Sequence, residues 1–127
     1  MLKITGIDHI VLRTNKRDEM LRFYCEILGC HIERTVESFG LIQLRAGSNL
    51  IDLLCINEEP NTVNPNLEHF CLRVASGDHT TIQSLLQQAG IETYRLGERY
   101  SSKGMGYSFY LKDPEANEIE LVVDQAM

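Results

Sequence analysis

The sequence has no apolar run approaching the ~20 residues that a membrane-spanning helix needs. Its opening, Met1-Leu2-Lys3-Ile4-Thr5-Gly6, lacks the basic-then-apolar pattern of a secretion signal. No membrane partner is therefore expected, and the cytoplasm is the expected location. A basic stripe is missing too: 12 Lys and Arg stand against 18 Asp and Glu, a formal net charge of −6, and no cluster exceeds Lys16-Arg17. Proteins that grip nucleic acid through phosphates carry such a stripe. The aromatic residues between Tyr100 and Tyr110 are too sparse for a base-stacking platform. Nucleic acid is not an expected partner. Finally, the four cysteines, Cys25, Cys30, Cys55 and Cys71, form no C-x-x-C pair, and each sits in or beside an apolar segment. They read as small buried hydrophobes kept reduced, not as redox or thiolate-metal groups.

What is present is an ordinary globular composition, 127 residues with 43% apolar and 24% charged. That length suffices for one domain with a core of its own. The informative feature is repetition. Ile7-Asp8-His9-Ile10-Val11-Leu12-Arg13 is echoed 60 residues later by Leu67-Glu68-His69-Phe70-Cys71-Leu72-Arg73. Asn49-Leu50-Ile51-Asp52-Leu53-Leu54 is echoed 68 residues later by Asn117-Glu118-Ile119-Glu120-Leu121-Val122, and Leu44-Arg45 by Leu111-Lys112 at an offset of 67. Three echoes in one order at a nearly constant offset define a duplicated unit of about 60 residues. The first module spans about 1–57 and the second about 66–127, with residues 57–65, rich in Asn and Pro, as the linker.

Each module has the same coarse layout. The first predicts a strand over about 6–14, a helix over about 16–28 and strands near 31–37, 40–46 and 49–56. Asn15 is placed to cap that helix, with Asp18 three residues on, and Gly29 to stop it. The second predicts a strand over about 67–74, a helix over about 78–89 ending at Gly90, and strands near 92–96, 106–112 and 117–123. The unit is β-α-β-β-β, twice, an α+β architecture.

Strand side chains alternate faces, so repeat-equivalent residues point to equivalent places in their sheets. His9 shares a face with Ile7 and Val11, His69 with Leu67 and Cys71, so both histidines are expected mid-strand among apolar neighbours. Asp52 and Glu120 fall on equivalent strands, where a carboxylate among apolar residues is costly unless it is paired or bound to a cation. A lone buried histidine is more often a core residue than a ligand. Repeat equivalence of both pairs changes this, because one imidazole and one acid per module can meet near a pseudo-two-fold axis. His9, His69, Glu120 and Asp52 are thus the expected ligands of one divalent cation, Zn, Ni, Mn or Fe. His31, on a polar strand, and His79, at a helix start, are expected on the surface.

This duplicated pattern resembles the vicinal oxygen chelate superfamily, which includes glyoxalase I, extradiol dioxygenases, fosfomycin-resistance proteins and bleomycin-binding proteins. The resemblance covers essentially the whole chain. Its most specific pieces are the His9 segment, Phe23-Tyr24-Cys25-Glu26-Ile27-Leu28-Gly29 and the run from Tyr110 through Asp113-Pro114 to Leu121. It implies a glyoxalase-like fold, two tandem modules forming curved mixed sheets around a central metal and ligand cavity. By it, His9, His69 and Glu120 match the three recurring ligands, and Asp52 stands where glyoxalase I has a glutamate. Aspartate is one methylene shorter, which would let it bind through water or leave a coordination position open.

The implied chemistry is a lactoylglutathione-lyase type of isomerisation through an enediolate, with glutathione as cosubstrate. Glu120 would be the catalytic base and Asp52 the acid on the opposite side of the metal. Arg13, Arg73, Arg99, Ser101, Lys103 and Tyr107 are the candidate substrate-binding residues. The stretch from Gly97 to Gly106 is expected as a loop able to close over a substrate. Competing readings are an Fe²⁺ dioxygenase, which also uses two His and one carboxylate, a fosfomycin-type thiol transferase, and a non-enzymatic small-molecule binder. A single module leaves an apolar face and strand edges to cover, so a homodimer is expected.

Overall fold

The computed structural model describes residues 1–61, 63–75 and 77–124. Position 62 of the expected linker and positions 125–127 of the second module lie outside the described residues. The chain divides into two compact units, Met1–Pro60 and Asn61–Met127.

In the first unit, β1 (His9–Thr14) leads to α1 (Arg17–Leu21), and β2 (His31–Val36), β3 (Leu41–Ala46) and β4 (Asn49–Cys55) follow. The sheet order is β1-β4-β3-β2, with β1 parallel to β4 and the other pairs antiparallel. In the second unit, β5 (Phe70–Val74), α2 (His79–Gln88), β6 (Tyr94–Ser101), β7 (Gly104–Lys112) and β8 (Glu118–Val123) repeat the plan, in the order β5-β8-β7-β6. Both sheets are mixed, and the fold is the glyoxalase-like tandem of βαβββ units.

Alternation builds each core. Leu12, Ile42, Leu44, Ile51 and Leu53 are at most 6% exposed, and Met20, Phe23 and Tyr24 supply the helical share. In the second unit Phe109, Leu111, Ile119, Leu121 and Leu86 do the same. Each such side chain contributes roughly 1.5–3 kcal/mol by leaving water.

Several local expectations change. The first helix is short and continues as a π-helical stretch, Arg22–Ile27, whose wide turn closes with the Leu28 amide donating to the Phe23 carbonyl at 3.0 Å. At its start, the Thr14 hydroxyl accepts the Lys16 amide at 2.8 Å. The second helix is capped by Asp78, which accepts from the Thr80 amide. On that helix Leu86 is buried, whereas Leu85 is 61% exposed, outside the core.

The stretch expected as a closing loop is instead a paired hairpin. Arg99 pairs with Gly106, Tyr100 with Met105 and Ser101 with Gly104, leaving only Ser102-Lys103 as the turn. Glycines there read as a loop signal, whereas cross-strand pairing and the Ser101 hydroxyl bound to the Gly104 carbonyl (2.8 Å) close a ladder. Register is interrupted between Tyr94 and Gly97, where Arg95 and Leu96 together oppose Phe109. This bulge holds Arg95 at φ 55, a conformation that costs an L residue about 1–2 kcal/mol.

The turn before β8 is built around one carboxylate. Asp113 accepts from the amides of Glu115 and Asn117, both at 2.9 Å, and from the Asn117 side-chain amide at 2.8 Å.

Candidate metal half-sites

The two histidines open their strands instead of sitting in the middle. His9 is the first residue of β1 and His69 immediately precedes β5. Their expected apolar neighbours are present but open to solvent: Ile7 is 76% exposed, Val11 50% and Leu67 49%. β1 and β5 each pair with a single strand of their own sheet.

Within each unit the histidine and the carboxylate come together. His9 Nε2 lies 3.9 Å from Asp52 Oδ2, and His69 Nε2 lies 3.3 Å from Glu120 Oε1. The other ring nitrogen is held identically in both copies. His9 Nδ1 meets Asp8 Oδ1 at 2.7 Å, and His69 Nδ1 meets Glu68 Oε1 at 2.7 Å. The acid before each histidine was visible in the repeat; its task of steering the imidazole was not read from it. Among the described residues no group of three or more His, Cys, Asp or Glu is gathered at one point. The structure thus brings the four candidates together two by two.

The donor chemistry suits a cation. A neutral imidazole has one ring proton, and the preceding acid takes it at Nδ1. That leaves the Nε2 lone pair facing a carboxylate oxygen, two acceptors that need a proton or a metal between them. Asp52 adds a second sign: it is 3% exposed, and its Oδ1 is buried without a hydrogen-bond partner among the described residues. Its Oδ2 accepts from the Gln43 amide at 3.1 Å. An oxygen left so is costly, and coordination would relieve it. Protonation already senses the arrangement at His9, which titrates above its ordinary value. The Asp8 hydrogen bond is the main cause, burial opposes it and Asp52 adds attraction.

The neighbours of the two pairs differ. On β3, Gln43 stands opposite Asp52; on β7, Tyr110 stands opposite Glu120 and donates its hydroxyl to Oε1 at 3.3 Å. Glu118, two residues before Glu120, accepts from the Tyr94 hydroxyl at 3.0 Å and faces Arg95 at 3.6 Å. Burial, then Glu118, pushes the Tyr94 hydroxyl up to about 12, and burial raises Tyr110 as well.

The candidate substrate residues scatter. Arg73 is tied to Asp124 at 2.6 Å and to the Ser101 hydroxyl at 2.9 Å, so both Arg73 and Ser101 already hold structural bonds. Arg13, the repeat equivalent of Arg73, is exposed on the His9 face of β1. Arg99 lies with Glu120 on the site face, whereas Lys103 is in the exposed turn. Tyr107 turns to the opposite face, its ring 4.9 Å from that of His79. His79 is accordingly half-buried, not on the surface, and its Nδ1 is buried without a partner among the described residues. Of the cysteines, Cys25, Cys30 and Cys55 are half-buried, but Cys71 is exposed. Burial nevertheless raises all four thiols, Cys30 and Cys71 to about 11, which keeps them protonated at neutral pH. Gln43, Tyr94, Tyr110, Glu118 and Arg95 are not among the candidate site residues of the sequence; alternation along β8 from Glu120 reaches Glu118, whereas Gln43, Tyr110 and Tyr94 follow only from cross-strand register.

A family model described as the Glyoxalase/Bleomycin resistance protein/Dioxygenase superfamily matches residues 6–121, and the chain belongs to that superfamily. Among solved structures, it is similar to a virulence protein from Salmonella typhimurium, 28% identical with a TM-score of 0.77, covering 96% of this chain and 98% of that one. It shares the fold of a lactoylglutathione lyase from Agrobacterium tumefaciens, 17% identical with a TM-score of 0.69, covering 94% of each chain. It also shares the fold of a glyoxalase family protein from Enterococcus faecalis, 21% identical with a TM-score of 0.71, covering 93% and 97%. The comparison with curated proteins gives no match. No helix among the described residues is long and apolar enough to cross a membrane.

Proposed function

We propose that the chain is a divalent-metal enzyme of the cytoplasm that acts on a small oxygen-chelating substrate, by a lactoylglutathione-lyase type of reaction. One observation carries this reading: acid, histidine and strand-borne carboxylate recur in both units with Nε2 turned to the carboxylate, and Asp52 Oδ1 is buried without a partner among the described residues. His9, Asp52, His69 and Glu120 would hold the cation, Zn, Ni, Mn or Fe. When bound, the cation polarises two neighbouring substrate oxygens.

The rest belongs to side chains. Glu120 Oε1, steadied by the Tyr110 hydroxyl, takes a proton from one substrate carbon and returns it to the next. Asp52, shorter by a methylene than a glutamate, keeps one oxygen on Gln43 and offers the other. Asp8 and Glu68 fix the imidazole orientation and tautomer. Sheets whose first strands have one partner each, beside exposed Ile7, Val11 and Leu67, favour a homodimer in which both units' pairs are completed.

The test is metal analysis of the purified protein followed by assay with the glutathione adduct of methylglyoxal. Bound transition metal with isomerase turnover supports the proposal. Metal without turnover redirects it to another reaction of the superfamily, and absence of metal in protein purified without chelators overturns it. Light scattering that finds a stable monomer would remove the dimer.

A further inference from the structure

One phenol touches both candidate ligands of the second unit. The Tyr110 hydroxyl reaches Glu120 Oε1, and the Tyr110 ring stands edge-on to that of His69, the ring centres 5.4 Å apart at 74°. Being on a strand does not by itself fix such a side chain, because rotation about either of its side-chain bonds would break both contacts.

The fixing comes from β6. The Arg99 guanidinium lies 5.0 Å from the centre of the Tyr110 ring, and Tyr94 stacks on that ring at 6.2 Å. The guanidinium is itself seated. Its Nη1 donates to the Ser108 carbonyl at 3.0 Å and to the Ser108 hydroxyl at 3.1 Å. Beside it is Gly97, where a Cβ would lie 3.6 Å from Nη1 and 3.8 Å from Nη2. Gly97 is not one of the glycines with positive φ, so the backbone does not call for glycine there. The space left by the missing side chain is where the guanidinium rests. Charge around the ring is balanced: Glu118 and Glu120 share its face of the sheet, against Arg95 and Arg99. The cluster is closed on itself and calls for no ion from outside.

We propose that Arg99 is a positioning residue: seated on Gly97 and Ser108, it holds the Tyr110 ring so that the hydroxyl stays on Glu120 and the ring edge against His69. The role is distinct from the substrate contact expected of Arg99 from the sequence. As a statement about metal binding it rests on the metal-enzyme reading; as a statement about geometry it is testable without metal.

The experiment compares full-length wild type with Arg99→Gln, Gly97→Val, Tyr110→Phe, the double variant Arg99→Gln with Tyr110→Phe, and Arg22→Gln, an exposed control in the first unit. First, after treatment with a chelator and at about pH 9, where imidazoles are neutral, NMR follows the His69 ring protons, identified by their loss in His69→Ala. The phenol ring current makes these signals report where Tyr110 stands. Arg99→Gln and Gly97→Val are each expected to move them, and Arg22→Gln to leave them in place. Gly97→Val keeps every charge, so its effect isolates the placement of the guanidinium. Second, Co²⁺ affinity is measured by titration. Tyr110→Phe is expected to weaken it about tenfold and Arg99→Gln about three- to tenfold. The double variant should be no weaker than Tyr110→Phe to within about twofold, because Arg99 acts through the phenol. An unmoved His69 signal in either Arg99→Gln or Gly97→Val overturns the proposal, as do losses that multiply in the double variant. If wild type takes no Co²⁺, the metal reading falls and the His69 signals alone decide the role of Arg99.

Discussion

The two units keep the same triple of residues and surround it differently. Asp8, His9 and Asp52 in the first correspond to Glu68, His69 and Glu120 in the second, down to the same 2.7 Å contact at Nδ1. Around them, Gln43 becomes Tyr110, Leu50 becomes Glu118, and Ile56 becomes Asp124. The first unit thereby buries its acid almost dry, at 3% exposure, and leaves Arg13 exposed. The second engages its acid with a phenol and ties Arg73 to Asp124 and Ser101. The triple is common to both units, and the divergence falls on the residues beside it.

The largest expected effect tests whether the halves serve one centre. Removing either pair, His9→Ala with Asp52→Asn or His69→Ala with Glu120→Gln, should lower metal affinity by more than the ~100-fold typical of losing a supporting partner. Titration with Zn²⁺ or Ni²⁺ reads this, and an undiminished affinity in the first double variant would assign the metal to the second unit alone. Next is packing: Phe109→Ala, at a fully buried position, should cost about 3–5 kcal/mol in chemical denaturation. A loss below 1 kcal/mol would mean that the β7 side of the second core is not packed as described. Third, Asp8→Asn and Glu68→Gln should each weaken metal binding by about 10–100-fold without unfolding the chain. Unequal losses would show which imidazole depends more on its steering acid.

The smallest effect concerns pH. His9 titrates above its ordinary 6.5, first because of Asp8. Its stabilising contribution to the metal-free protein is therefore fully present below the unfolded value and is lost as pH rises through the raised one. On the proposed function, metal uptake should run oppositely, strengthening over the same rise as the proton leaves. NMR titration of the imidazole should show the midpoint falling toward the ordinary value in Asp8→Asn, and an unchanged midpoint would remove Asp8 as the cause.

Much of this was legible in the chain. The tandem pattern located the two helices and eight strands of the described residues to within a few residues, whereas the nearness of each histidine to its own unit's carboxylate comes from the pairing of β1 with β4 and of β5 with β8. What escaped was set by pairing across strands. Gly97, Gly104 and Gly106 signalled a loop, yet their partners on the opposing strand make a hairpin. Tyr107 was grouped with Arg99 by nearness in sequence, although alternation from Tyr110 turns it to the other face. Arg95 escaped for a subtler reason: its direction comes from a one-residue irregularity, and nothing in composition marks where such a slip falls.

Register is also why the Asp113 turn matters. Three N–H groups converge on that one carboxylate directly upstream of β8, so the strand enters its sheet with its phase already set. A shift by a single residue would turn Glu120 inward and present Ile119 or Leu121 in its stead. Length changes at the tip of the β6–β7 hairpin alter only what overhangs the sheet. An insertion or deletion between Asp113 and Asn117 would carry Glu120 off its face of the sheet while leaving the unit's hydrophobic composition intact.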